Sequence, residues 1–417
     1  MPDADVTINA IYEGISQNIN IAYLKAAVKM LYNYNPTAEK FGRVADPLAN
    51  PHLKHYGVKN VTLWYDSVEK KICWHSNSDT VKLQPGSMAC FFKDFATLKD
   101  IDLKGFDTSE VTSTAHMFDG CLKLQTVDLT GFDTGNVTDM SYMFYKAGYT
   151  DIPMTTKVSG NTKQLVKKDN THYLSITGLD GFVTENVTDM SYMFSLCSAQ
   201  TLDVSSFDAS HVTNFSHMFA GEWKNNYSQF WPTKFAALNL ANWNVGGDVA
   251  NDAEIDMSNM FDICNMIATI TLTNNPASTD AGWKFDKVIN MKEMFNRCES
   301  ATSIIFPKYT NLNKVTNMVS LFCHNLLIPV TGSGSFTDIF SRWDISTNNE
   351  IEFIANPGGG YGDDTPNRVV QGNSEQLKKL KSNEFSTYTT NVKVEIGSKN
   401  GNFSLEHQRL KRTIVNQ

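Results

Sequence analysis

Gly131-Phe132-Asp133-Thr134-Gly135-Asn136-Val137-Thr138-Asp139-Met140-Ser141-Tyr142-Met143-Phe144 is the stretch from which the rest of the chain can be read. Upstream by 26 residues stands its near copy, Gly105-Phe106-Asp107-Thr108-Ser109-Glu110-Val111-Thr112, leading to His116-Met117-Phe118. Downstream, Gly181-Phe182 runs through Asn186-Val187-Thr188-Asp189-Met190 to Met193-Phe194, and Phe207-Asp208 runs through Val212-Thr213 to Met218-Phe219. More worn copies end at Met260-Phe261, Met294-Phe295 and Leu321-Phe322, and Cys90-Phe91-Phe92 is a degenerate copy 26 residues before Phe118. Self-similarity at a period of about 25 residues is the mark of an array of stacked units.

Each copy reads as two short elements. Val137, Met140, Met143 and Phe144 fall at i, i+3, i+6 and i+7, which predicts one apolar face of a short helix with Asn136 or Thr138 capping its start. Between these segments lie alternating apolar pulses: Val127 and Leu129, Leu202 and Val204, Leu238 and Leu240, Ile270 and Leu272. Each predicts a strand of three or four residues with one face inward. One such strand and turn cannot bury its own apolar side, but neighbours stacked in a parallel sheet can. The expectation is an α/β, right-handed solenoid of leucine-rich-repeat type, with parallel short strands plus short helices.

Cys121, Cys197, Cys264 and Cys298 each stand three residues after the Phe of their copy, where another copy has Ala147, so the position calls for a small buried side chain. The seven cysteines are an odd number with no CxxC pair, which speaks against a disulfide framework or a zinc ribbon. The repeated phrase, together with Leu124-Gln125-Thr126-Val127-Asp128-Leu129, closely resembles the BspA-like leucine-rich-repeat surface proteins of bacteria over roughly residues 88–330. The resemblance implies a curved parallel array used for binding and adhesion, with no catalytic residues to carry over. Two departures are the missing export signal and the long insertions.

Residues 1–87 read as an N-terminal α/β capping or docking domain, with a helix over Ile21 to Tyr34 and strands over Val58 to Tyr65 and Lys71 to His75. Residues 88–330 are the array. Residues 331–417 hold the turn-rich linker Asn356 to Asp364 and a small C-terminal α/β domain, with a helix near Glu375 to Lys381 and a strand near Val392 to Ile396. Insertions in such arrays emerge as loops, often on the binding face. Two stand out, 145–172 and 221–235, and the second carries Trp223, Tyr227, Phe230 and Trp231, the candidate ligand-binding residues. Exposed aromatics suit carbohydrate or protein contact, and the alternative use is a loop folded down over apolar surface.

Other constellations carry little chemistry. His116 and His217 share a repeat position with Tyr142, Tyr192, Asn259 and Glu293, which predicts a solvent-facing helix position. Asp107, Asp133, Asp208 and Asp286 suggest a calcium ladder, but Val183 interrupts the series and Asp in a turn bonds its own backbone. Gly358 to Gly360 lacks the ending of a phosphate loop, and the Asn136 and Asn186 sequons arise from the repeat itself. No nucleophile elbow, zinc-protease motif or paired-carboxylate signature is present, so neither an enzyme, a cofactor nor a metal is expected.

The net charge of −8 with 19% charged residues gives no support to nucleic acid as partner. No stretch approaches the roughly 20 apolar residues that span a bilayer. The reading is a non-catalytic recognition or adhesion protein whose partners are proteins or glycans on a host or bacterial surface, or other subunits of a virion or surface assembly. Taking Met1 as the native start, the absence of a leader tips the expectation slightly toward a bacteriophage virion component; a bacterial cell-surface adhesin stands beside it, and a carbohydrate-active enzyme third.

Overall fold

The computed structural model describes residues 18–45, 56–58, 61–149, 155–159, 162–166, 173–223, 230–231, 233–240, 243–250, 252–273, 275, 282–322, 325, 327–328, 333, 336–344, 352–355 and 370–372. The linker at 356–364 and the C-terminal helix and strand expected beyond it lie outside those residues. The chain divides into two compact units, one of Met1–Asp151, Asn170–Asn186 and Cys197–Ala199, the other of Ile152–Asp169, Val187–Leu196 and Gln200–Gln417.

In the first unit the helix Ile21–Tyr34 forms as its apolar spacing demands. Asn20 caps it, its side chain accepting from the amides of Ala22 and Tyr23, while Leu24, Ala27, Val28 and Leu31 are buried. The strand expected over Val58 to Tyr65 is instead a hairpin, Tyr56–Val58 against Val61–Asp66, and Lys71–His75 extends it antiparallel. The sheet then turns parallel: Lys71–His75 pairs with Lys40–Arg43, and Asp100–Asp102, Thr126–Asp128 and Ser175–Thr177 follow. Lys25 Nζ donates to the Ala89 carbonyl at 2.8 Å, so the helix satisfies a main-chain acceptor of the first copy.

In the second unit the same short strands pair in parallel, Thr201–Asp203 with Ala237–Asn239 and Thr269–Thr271 with Ser303–Ile305. A second row runs from Ile255–Asp256 through Val288–Asn290 and Asn317–Val319 to Glu352–Ala355, where the antiparallel Val370–Gly372 ends it. A seven-residue helix, Phe336–Arg342, is the other α-helix of the described residues.

The short helices expected in each copy are not formed. Met140 to Met143 and Phe144 to Ala147 are instead consecutive tight turns, each closed by an amide donating three residues back (3.3 and 3.0 Å). Their third residues, Tyr142 and Lys146, have φ of 57° and 58°, the left-handed region a type II turn requires. Between closures, the amides of Thr114, His116, Phe118 and Gly120 donate to the carbonyls of Asp139, Ser141, Met143 and Tyr145 in the next copy at 2.8–3.0 Å. Amides thus alternate between closing their own turn and tying one copy to the next, an accounting a helix cannot satisfy between neighbours. The second unit repeats the arrangement, Tyr192, Phe194 and Leu196 donating to Ser216, Met218 and Ala220.

The turns still drive the apolar side chains inward. Val137, Met140, Met143 and Phe144 are fully buried, each such burial contributing about 1.5–3 kcal/mol. The phenylalanines stack from copy to copy: Phe92, Phe118 and Phe144 in the first unit at 5.7 and 5.1 Å, and Phe194, Phe219, Phe261, Phe295 and Phe322 in the second at 5.6–6.0 Å. Asn136 is no cap: its side-chain amide donates to the Ser109 carbonyl of the neighbouring copy at 2.6 Å, as Asn186 does to Gly135 at 2.7 Å.

The cysteines follow the same logic. Cys121, Cys264 and Cys298 are buried, and each thiol lies 3.1 Å from the carbonyl of the preceding copy's Phe92, Phe219 or Phe261. Asn325, in the equivalent place, donates to the Phe295 carbonyl at 2.8 Å. The position therefore selects a compact donor to a carbonyl as well as small size. Burial raises Cys73 to about 11 and Cys264 to about 12 and pushes Cys121 and Cys298 up too, so these sulfurs stay protonated near neutrality.

Candidate recognition surface

Two positions recur side by side in the copies: the left-handed residue two before the Phe and the residue one after it. The first is half-buried at His116, Tyr142, Tyr192, His217 and Glu293 rather than the free solvent-facing helix position expected, while the second is half-buried at Lys93 and Tyr145 and buried at Asp119, Ser195, Ala220, Asp262 and Asn296. In the first unit the His116 ring lies on Tyr142 with centroids 4.4 Å apart and planes 11° from parallel. Its Nδ1 is 2.7 Å from Asp119 Oδ2, and Lys93 Nζ reaches the same oxygen at 2.6 Å. Because an ionised carboxylate can only accept, the short Nδ1 contact is met by an Nδ1–H donating to Asp119. The Asp119 hydrogen bond and charge raise Lys93 against the burial that works the other way. Tyr145 meets Tyr142 edge-on at 5.3 Å, and Lys146 Nζ sits 4.7 Å over the Tyr145 ring.

The second unit begins alike and diverges. His217 lies on Tyr192 at 4.3 Å and 12°. The residue one after its Phe, however, is the buried Ala220, so no carboxylate of its own copy meets the ring. The next rungs are Asn259 and Glu293, joined by the Asn259 side-chain amide donating to Glu293 Oε2 at 2.9 Å. Asn259 and Asn296 both donate to Asp262, at 3.2 and 2.9 Å. Burial, then the nearby Glu293, drive the Asp262 carboxyl well above the carboxylate range despite these two donors. Burial, with Lys292 adding to it, holds His217 down to about 4 although Asp256 pulls upward.

The aromatic insertion leaves this ladder at one rung. Gly221 donates to the Asp262 carbonyl at 2.7 Å, and the chain then forms Glu222–Trp223, paired antiparallel with Phe230–Trp231 so that Trp223 faces Phe230 across the hairpin. The backbone thus brings Trp223, Phe230 and Trp231 together; their side chains, and Tyr227 entirely, lie outside the described residues. After the hairpin, Phe235 returns to the core edge-on to Phe219 at 6.2 Å. In the other insertion, Thr155–Ser159 pairs antiparallel with Thr162–Val166.

The remaining sequence candidates serve the backbone. Asp107, Asp133 and Asp208 each accept the amide two residues on, from Ser109, Gly135 and Ser210, at 2.8–3.1 Å. Among the described residues no three His, Cys, Asp or Glu side chains gather as a metal-binding group. No helix among them is long and apolar enough to cross a membrane. Gly358 to Gly360 and Cys323 lie outside the described residues.

Sequence reading missed Lys93, Asp119, Asp262 and Asn296. Their signal was present: a polar residue directly after the Phe in five copies, Ser195 being the fifth, next to the slot read as solvent-facing.

Comparison with curated proteins and with solved structures returns no match. A family profile does match, four times in overlapping stretches, over residues 76–171, 160–252, 224–330 and 255–356. Multiple matches along one chain are what a repeat protein gives, and together they span most of it; the chain belongs to the family described as "Mycoplasma protein of unknown function, DUF285".

Proposed function

We propose that this chain is a non-catalytic recognition protein that displays a leucine-rich-repeat-type solenoid of the BspA-like kind, and that it grips a glycan or protein through the hairpin at Trp223 and Phe230. The observation that carries the reading is the rooting of that hairpin directly on a stacked copy, where the Gly221 amide donates to the main-chain carbonyl of Asp262. A binding loop on a rigid laddered support is the arrangement recognition requires. Cys121, Cys264 and Cys298 are buried and held protonated, and Asp107, Asp133 and Asp208 are committed to their own turns, so none of these six is offered as a nucleophile or base.

The setting of this binder is either a bacteriophage virion or a bacterial cell surface. The test is binding of the purified chain to cells and to a glycan array, compared with Trp223→Ala, Phe230→Ala and Trp231→Ala. Loss of binding with unchanged thermal unfolding supports the reading; binding untouched by all three substitutions, or turnover of a bound glycan, overturns it. Immunogold labelling of the producing culture separates cell surface from released particles.

A further inference from the structure

We propose that His217 is an acid-operated release for the hairpin at Glu222–Trp223 and Phe230–Trp231: a proton on its ring loosens the copy from which the hairpin springs, and the surface lets go of its ligand as its surroundings acidify. The inference rests on the hairpin being the recognition element.

The geometry is a short chain of connections. His217 donates its amide to the Ser258 carbonyl at 2.9 Å, its own carbonyl accepts from Ala220 at 3.0 Å, and Gly221 donates to Asp262 at 2.7 Å. The hairpin starts at the next residue. Whatever disturbs His217 is thus transmitted over four residues to the root of the binding loop.

The ring is half-buried, at a left-handed φ of 56°, with Tyr192 stacked on it. Of the charged groups that act on the ring, Asp256 favours a proton there and Lys292 opposes it; the next residue in its column, Asn259, is neutral, and Asp262 and Glu293 are already engaged by Asn259. In the first unit the equivalent His116 has a carboxylate oxygen at 2.7 Å to receive its charge. His217 has Ala220 in that place.

The sign follows from the direction of the shift. A histidine held below its ordinary value contributes stability that is complete above about 6.5 and is lost as pH falls toward about 4. Between those values the local opening equilibrium rises as the solvent acidifies, by roughly 30-fold from pH 7.5 to pH 5.

The test is amide hydrogen exchange at residues 217–223 of the full chain, corrected for intrinsic rates, at pH 7.5 and pH 5. The wild type should open roughly 30-fold more at pH 5. His217→Asn, which keeps a side chain this position accepts at Asn259, should flatten the ratio to about threefold or less. Ala220→Asp, which gives His217 the partner that His116 has, should flatten it while keeping the histidine. A ratio unchanged by His217→Asn, or a flat wild type, overturns the switch. Binding to cells, measured at both pH values, should fall at pH 5 for the wild type and hold for His217→Asn; equal falls in both overturn the release. Because exchange needs no ligand, a steep ratio in a chain that binds nothing at pH 7.5 refutes the recognition reading, and with it the release, while leaving the acid-driven opening shown.

Discussion

His116 and His217 occupy the same place in their copies, adopt the same left-handed backbone and lie on a tyrosine at nearly the same distance. Their neighbours differ: His116 lies on the tyrosine of the following copy and His217 on that of the preceding one, and the residue after the Phe differs as well. In the first unit the residue after the Phe is Asp119, which binds both His116 and Lys93; in the second it is Ala220. The repeat backbone fixes where a side chain points, and the residues in the adjoining slots then decide whether a charge placed there has a partner.

The comparison assumes equal support beneath both stacks, and the test of that has the largest effect. Phe144→Ala and Phe219→Ala each remove a fully buried ring stacked between copies, so each should cost about 3–5 kcal/mol in denaturant unfolding. If one loss is under half the other, the two undersides differ and the contrast between the histidines loses its control.

The next effect probes the column of polar residues five before each Phe. In the second unit it alternates charge: Asn214 donates to Asp189 Oδ2 at 3.1 Å and Asn290 to Asp256 Oδ2 at 3.3 Å. Asn214→Asp places a third carboxylate between two others and deletes the amide donor, so about 2 kcal/mol should be lost at pH 7. Crowded by like charges, the new group titrates above its ordinary value; the deficit therefore shrinks as pH falls below that value and is full at neutrality. A deficit independent of pH would mean that the column is not electrostatically tuned.

Closer to the comparison itself, Asp119→Asn should make the first unit behave like the second. About 1 kcal/mol should go at neutral pH, less in high salt, and exchange at residues 116–120 should become acid-sensitive in the manner expected of His217. An unchanged pH response would break the claim that the slot after the Phe sets the difference.

Much of this was legible in the sequence. The copies, the inward Met and Phe, the burial of Cys121, Cys264 and Cys298, and the strands around Val127, Leu202 and Ile270 all follow from apolar spacing, because burial is a property of the pattern. The helices were misread because Met140, Met143, Phe144 and Ala147 fit two different backbones. A helix gives that spacing, and so do two successive type II turns, each returning the chain inward after three residues. Gly120, with φ of 72° in the slot where Lys146 and Leu196 stand, was the clue that the backbone there is left-handed. The ladder after the Phe was missed for another reason: its rungs, Lys93, Asp119, Asp262 and Asn296, share a position but range over Lys, Asp and Asn.

That left-handed slot yields the smallest effect and the only gain. Lys146 holds φ of 58° with its side chain half-exposed, and a non-glycine residue there carries a backbone cost of order 1 kcal/mol. Lys146→Gly removes the cost, loses the cation over Tyr145, and widens the unfolded ensemble, so the net gain should be a few tenths of a kcal/mol. The same substitution at Leu196, φ 54° but fully buried, should instead lose about 2 kcal/mol, since burial there outweighs backbone relief. Opposite signs at two rungs of one backbone would show that the turns are set by the stacking of copies, and the residues merely tolerate them. A loss at both would mean that the side chains hold the turns in place, and the likeness between the two histidine stacks would then need a different cause.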